Sequence, residues 1–425
     1  MKINPMTTTS VAGGSAGNPA DNASATPSSS LTSAQIRDEF LLTRDWRLLN
    51  NGSFGACPIP VFEHYQRWQV EFENHPGAFV GRWETLLTGA RTKLADYLHT
   101  TQDRLGFVTN ATMGVNAVTH SLRSRLQPGD EVLTTNHEYG ACNHAWQFNC
   151  QKAGAVYINH PIRVPLTSTE DFIEQLWTGV TPRTKVIYLS HTTSPTALTF
   201  PVQAVCERAR AEGILTVIDG AHVPGQRNLS LDEVGADFYT GNCHKWMCSP
   251  KGTAFLYARP EVQSMIEPMI VGHGWLPDER STRPMVDYVE QFGTRDVTGF
   301  LTVPYAIDYM HAHDWDAVRA RCNAMALQTK RTLEHHFGTA SICPDDFEWF
   351  SQLVPIRLPD NTDMGKLGEI MREHYRIEMP MINWNGVKIA RLSVQIYTTQ
   401  EELDILEEAL TTHVAACQIA EVPAA

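Results

Sequence analysis

Along most of the chain, short apolar and β-branched strings alternate with longer stretches of helical period, the pattern of a mainly parallel sheet covered by helices. The strongest predicted strands are Gly106–Thr109, Glu131–Thr135, Lys185–Leu189, Leu215–Asp219 and Thr253–Tyr257. Between two of them, Val202–Glu212 has a helical period and is followed by Gly213, a residue that tolerates the positive φ of a helix C-cap. A β-α-β unit is therefore predicted. From about Tyr305 the chain turns helical, then gives strand-like segments at Phe347–Leu358 and Val387–Ile396, and ends in a helix from Gln400 onward. The pattern predicts a large α/β domain over 33–300 and a smaller C-terminal α+β domain over 301–425. Residues 1–32 are small, polar and almost without large apolar groups, so a disordered tail is expected there.

Composition narrows the class. The 425 residues allow two or three domains at roughly 150 residues each. With 42% apolar and 19% charged residues, the chain has the proportions of a packed globular protein. Acids outnumber Lys plus Arg by 47 to 34, a net charge of -13 that repels phosphate backbones and anionic lipid unless a basic patch overrides it. The sequence holds no such patch, and neither a nucleic acid nor a membrane is expected as a partner. No apolar run approaches the roughly 18 residues of a bilayer span, and the N-terminus lacks the apolar stretch of a secretory signal. The nine Cys are scattered without a C-x-x-C pair, and Cys243 and Cys248 do not have zinc-knuckle spacing. No metal site is expected, and reduced thiols in a cytoplasm are the simple reading.

Ligands of parallel sheets gather beyond the carboxyl ends of the strands, and three segments bring chemistry there. Lys245 lies in Gly241-Asn242-Cys243-His244-Lys245-Trp246, where partial desolvation lowers a lysine pKa and frees a neutral amine for Schiff-base chemistry. A surface lysine packed on Trp246 fits the same residues. Asp219 ends an apolar strand, a costly place for an acid unless a cation or donors meet it. A protonated pyridine nitrogen is such a cation, while an Asp capping the next turn fits equally. Thr109 to Asn116 carries a strand into a helix, where free amides and the Thr112 hydroxyl make either a phosphate cradle or an ordinary N-cap. No glycine fingerprint of a P-loop or dinucleotide site is present, and His137-Glu138 does not open a zinc helix because residue 141 is Ala. The order of these signals says more than each alone. A phosphate cradle, a ring-contacting segment at Asn136 to Tyr139, a strand-end Asp and a lysine 26 residues later are what a pyridoxal phosphate site needs.

The same residues carry a resemblance. Leu49 to Gly55, His137-Glu138-Tyr139, Ser190 to Thr196, Asp219-Gly220-Ala221-His222, His244-Lys245 with Pro250-Lys251-Gly252, Gly293 to Asp296, and Arg391-Leu392-Ser393 are similar to motifs of the class V aminotransferase family. These are fold type I pyridoxal phosphate enzymes, and the chain resembles their isopenicillin N epimerase-like branch over about residues 45–410. The resemblance implies an α/β fold whose large domain holds a mainly parallel seven-stranded sheet. It also implies an N-terminal segment that reaches the small domain and the active-site entrance, pyridoxal 5'-phosphate as cofactor, an amino acid substrate, and a homodimer with sites at its interface. By the same resemblance Lys245 is the Schiff-base lysine and Asp219 the partner of the pyridine nitrogen. Ala111 and Thr112 form the phosphate loop, Asn242 and His244 also reach the phosphate, and Thr294 is donated across the interface. Ser194 and His222 fall near the ring hydroxyl. Arg391 matches the arginine that clamps the substrate carboxylate, as a planar guanidinium does, and Asn51 is assigned to the substrate with it. His137 matches a ring-stacking histidine, whereas Tyr139 offers either the stack or a proton on the face opposite Lys245.

The cofactor does not by itself name the reaction. Epimerisation or racemisation at the α-carbon and β-elimination such as carbon–sulfur lysis both begin with removal of the α-proton by Lys245. The first then needs a proton donor on the other face, Tyr139 or His137, and the second needs an acid near the departing group. The resemblance favours an epimerase, with a carbon–sulfur lyase as the alternative and transamination further off. Cysteine desulfurases carry a nucleophilic Cys on a loop before the carboxylate-binding Arg; Leu358 to Gly368 contains none and Cys343 lies too far upstream. A binding protein that keeps the fold without catalysis is disfavoured by the joint presence of Lys245, Asp219 and Arg391.

Overall fold

The structure, a computed structural model, describes residues 32–419. Of the expected tail, residues 1–31 lie outside the described residues. Thr32, its last expected member, instead caps the helix Ser33–Arg37 through a capping box with Gln35.

Seven strands form the main sheet: β1 (Leu105–Val108), β2 (Glu131–Thr135), β3 (Val156–His160), β4 (Thr184–Ser190), β5 (Leu215–Asp219), β6 (Phe238–Asn242) and β7 (Ala254–Ala258). Their order is β1-β7-β6-β5-β4-β2-β3, and β7 alone runs antiparallel to its neighbours. This is the mainly parallel seven-stranded sheet expected. The five predicted strands are all present. The other two left no apolar run to read: β6 is Phe-Tyr-Thr-Gly-Asn, polar at its end although every residue is buried, and β3 is a partly exposed edge strand.

The helices used below are α1 (Ile59–Asn74), α2 (Pro76–Tyr97), α3 (Ala111–Arg123), α4 (Gly140–Ala153), α5 (Val202–Ala211), α6 (Thr298–Ala312), α7 (Trp315–Phe337), α8 (Met364–Tyr375) and α9 (Gln400–His413). The α5 helix joins β4 to β5, with Gly213 at φ 72 just beyond it, so the predicted β-α-β unit forms. Two apolar clusters lie on the two faces of the sheet; Phe107, Leu133, Ile187 and Ile218 belong to one, Val108, Val132, Val186 and Val217 to the other. Burial on both faces accounts for the near-continuous apolar strands.

The C-terminal part holds a three-stranded antiparallel sheet of β8 (Leu353–Leu358), β9 (Met381–Trp384) and β10 (Val387–Ser393), in the order β9-β10-β8. Helix α7 packs on β8 and on α9, and α8 packs on β9. The expected boundary between residues 300 and 301 falls inside α6, which packs against α1 and α2. The next helix, α7, begins after Asp314, a left-handed residue that caps it.

Near the N-terminus, Arg47–Leu48 pairs in parallel with Ile377–Glu378, and the Ser393 amide donates to the Leu49 carbonyl at 3.0 Å. An early segment of the chain is thus held against the C-terminal part beside Arg391. Among the described residues no helix is long and apolar enough to cross a membrane.

Candidate active site

A cavity of about 320 Å³ opens where β4, β5 and β6 end, and Ser190, Asp219 and Asn242, the last residues of those strands, all line it. Lys245 follows β6 by three residues and presents its amine there. The turn Asn51–Phe54 is brought against it by Gly55, which has φ 67 and lies where a Cβ would sit 1.8 Å from the His244 carbonyl oxygen. The Lys245 amine is 3.2 Å from Nε2 of His222. Burial, opposed by the Asp219 charge and aided by Arg391, lowers its pKa from 10.5 to about 8.

Asp219 is buried. Its Oδ1 accepts the Ala221 amide at 3.0 Å, and its Oδ2 accepts the Tyr188 hydroxyl at 3.3 Å and the Cys142 thiol at 3.5 Å. Desolvation raises its pKa, against the pull of these donors and of Lys245. Arg391, also buried, donates from Nη1 to the Ser194 carbonyl at 2.5 Å and to Ser194 Oγ at 3.0 Å, and from Nη2 to Ser53 Oγ at 3.0 Å. Burial brings its pKa down to about 10, so it stays charged at neutral pH. Among the described residues no carboxylate pairs with Arg391 or Lys245, and no cation pairs with Asp219, within 4 Å.

At the start of α3, Asn110 caps the helix by accepting the Met113 amide, and the Ala111 amide is donated to Asn242 Oδ1, both at 2.9 Å. The expected row of free amides is therefore narrowed: Asn242 holds the helix end, and Thr112 between the two capped amides lines the cavity. His244 donates from Nδ1 to the Thr253 carbonyl at 2.9 Å, which leaves Nε2 for a ligand.

Three expected residues sit elsewhere. His137 is fully buried, with Nδ1 bonded to Thr196 Oγ1 at 2.8 Å, Nε2 donating to the Ile162 carbonyl at 3.2 Å, and its ring against Trp384. Burial lowers its pKa to about 3, so it is a neutral core residue and does not line the cavity; Tyr139 does. Asn51 is turned inward, donating to the Lys245 carbonyl at 3.4 Å and accepting from Tyr397 at 3.1 Å; its neighbours Gly52, Ser53 and Phe54 line the cavity instead. Thr294 is exposed on a loop and is not among the residues lining the cavity of its own chain. Sequence reasoning missed Cys142, Tyr188 and Ser190, and also Glu138, whose carboxylate accepts the Ser190 amide and hydroxyl at 2.7 and 2.6 Å. Glu138 and Ser190 stand in quoted motifs; Cys142 and Tyr188 read as ordinary core positions.

The cavity fits pyridoxal phosphate. A buried carboxylate without a cation suits a protonated ring nitrogen, and two residues that line the cavity carry a buried nitrogen without a partner, His222 Nδ1 and Arg391 Nε. Residues 61–406 match the family described as Aminotransferase class-V. The chain belongs to that family. It is 32% identical over 388 residues to the isopenicillin N epimerase of Amycolatopsis lactamdurans, covering 89% of this chain and 97% of that one. It is 26% identical to the L-cysteine desulfhydrase of Arabidopsis thaliana, covering 85% and 87%. Among solved structures, a C-DES mutant with glycine covalently linked to its PLP cofactor superposes with a TM-score of 0.74 at 20% identity, covering 88% of this chain and 98% of that one. The fold is that of the fold type I enzymes, and pyridoxal phosphate is the cofactor this family member is built for.

Proposed function

We propose that the protein is a pyridoxal phosphate-dependent epimerase acting at the α-carbon of an amino acid. The observation that carries this reading is a pair of buried opposite charges, Arg391 and Asp219, that share one cavity with the Lys245 amine and lack charged partners of their own. Arg391 takes the substrate carboxylate, with Nε its free donor, and Asp219 keeps the ring nitrogen protonated. When bound, the cofactor supplies the electron sink that makes an α-proton removable. Lys245 carries the cofactor and takes that proton, and its lowered pKa suits a base working near neutrality. Tyr139, 47% exposed at the cavity, returns a proton from a second position, which is what inversion needs beyond exchange. Thr112, Asn242 and His244 hold the phosphate, Ser194 and His222 stand by the ring hydroxyl, and Thr294 serves the neighbouring site of a homodimer. All nine cysteines are free, in keeping with a reducing cytoplasm.

The 32% identical epimerase supports this reading, and the desulfhydrase relative supports a second one, carbon–sulfur lysis. No cysteine lines the cavity, so a persulfide-forming desulfurase has no nucleophile there. The test is incubation in deuterium oxide with L- and D-amino acids and cysteine conjugates. Deuterium at the α-carbon with inversion and no keto acid is expected; release of pyruvate and a sulfur fragment would establish the lyase instead.

A further inference from the structure

We propose that Cys142 and Tyr188 are positioning residues for Asp219, two neutral donors that orient its Oδ2 and share its charge. The inference rests on the reading of Asp219 as the partner of the ring nitrogen. A carboxylate at the end of a buried strand needs a cation, a proton or hydrogen-bond donors. Among the described residues Asp219 pairs only with donors: the Ala221 amide on Oδ1, and on Oδ2 the thiol and the phenol, at 3.5 and 3.3 Å.

These two donors come from different elements. Tyr188 stands on β4, next to the strand that ends in Asp219, and Cys142 on the first turn of α4. Both are fully buried, and Trp146, one turn along α4, packs on the Tyr188 ring with centroids 5.7 Å apart. The helix face that supplies the thiol therefore also fixes the phenol. A phenylalanine would fill the space of Tyr188 without burying a hydroxyl, so the hydroxyl has a reason to be there only as a donor. Burial first, and the Asp219 charge with it, push both groups well above their ordinary pKa, so each keeps its proton and gives it to the carboxylate. Neutral donors suit this place. A lysine or arginine here would neutralise Asp219 and weaken its hold on a protonated ring nitrogen. Two long bonds leave the carboxylate its charge and room for one more donor.

The test compares the full chain loaded with pyridoxal phosphate and with the analogue in which C–H replaces the ring nitrogen, measuring the dissociation constant of each by equilibrium dialysis. Tyr188→Phe and Cys142→Ala are expected to weaken the natural cofactor by about three- to tenfold each and to leave the analogue unchanged, with Cys142→Ser restoring most of the loss. Equal weakening of both cofactors would show a merely structural role, and no weakening of either would show no role; each overturns the inference. Asp219→Asn is the separate check. If it discriminates between the two cofactors while the other variants do not, the inference fails alone; if it does not discriminate, the reading of Asp219 fails and takes the inference with it.

Discussion

Lys330, on α7, is wholly buried, and its amine donates to Glu334 Oε2, Ser341 Oγ and Asp345 Oδ1, each at 2.7 Å. Among the described residues the Lys245 amine has one hydrogen-bond partner, the His222 ring at 3.2 Å. The arginines divide in the same way. Arg91 meets Glu290 at 2.6 Å with both side chains buried, whereas Arg391 is held by serine hydroxyls and a carbonyl and faces no carboxylate. In these two scaffold sites the buried charge is neutralised where it stands, which fixes packing and leaves nothing for a ligand. In the cavity, charges of both signs are oriented by neutral groups and kept from one another. Such a site is costly when empty and is completed by a molecule with complementary charges.

The sharpest way to break this comparison is to remove each lysine in turn. Lys245→Ala is expected to lower α-deuterium exchange by at least about 10³-fold, because the base and the cofactor attachment go together. The thermal unfolding temperature of its apoprotein should not fall below that of the unsubstituted apoprotein. Full exchange by this variant would end the argument. Lys330→Met should do the reverse, destabilising the protein by about 3–5 kcal/mol in a urea titration, since Glu334 and Asp345 are left without their cation. The fraction that stays folded should turn over substrate normally.

This contrast explains what could be read beforehand. Lys245, Asp219, Arg391 and His222 were legible because each is a polar residue set against an apolar run or within a distinctive phrase, and their order matches one cofactor. The strands that bury both faces were legible as apolar strings. The β6 strand was not, because it ends in Thr240-Gly241-Asn242, of which Asn242 lines the cavity and holds the start of α3, and these residues break the apolar pattern. Cys142 and Tyr188 were hidden for the opposite reason, since Tyr188 belongs to an apolar strand and Cys142 to an ordinary helix start, and only the fold turns their protons toward Asp219. Within Asn51 to Phe54 a single helical turn decides which side chain reaches the cavity: Ser53 bonds Arg391 and Asn51 bonds Tyr397. His137 and Tyr139 differ in the same way, one folded into the core and the other left at the mouth.

A smaller effect separates the arginines. Arg391→Lys keeps the charge but loses the planar fork, so KM for the amino acid should rise by about tenfold with kcat less affected. Arg91→Lys, in the paired scaffold site, should leave KM unchanged and act on stability alone. Steady-state kinetics on both variants check this, and a KM change in Arg91→Lys of the size seen for Arg391→Lys would erase the distinction.

The least conspicuous consequence is a pH dependence of stability with a sign peculiar to the cavity. In the unfolded chain the Lys245 amine holds its proton up to its ordinary pKa of 10.5, but in the folded, cofactor-free protein only up to about 8. Keeping that proton in the folded protein therefore costs free energy: the cost is full below about pH 8, is relieved between about pH 8 and 10.5, where the unfolded chain binds more protons at this site, and is gone above 10.5. Lys245→Met removes that cost. The variant should be more stable than the unsubstituted apoprotein at pH 7, with the gain shrinking between about pH 8 and 10.5, whereas Lys330→Met should be the less stable protein throughout. Urea unfolding of the three apoproteins at pH 7, 8 and 9 measures this, and a Lys245→Met variant that loses stability at pH 7 would mean that its amine is as well satisfied as that of Lys330.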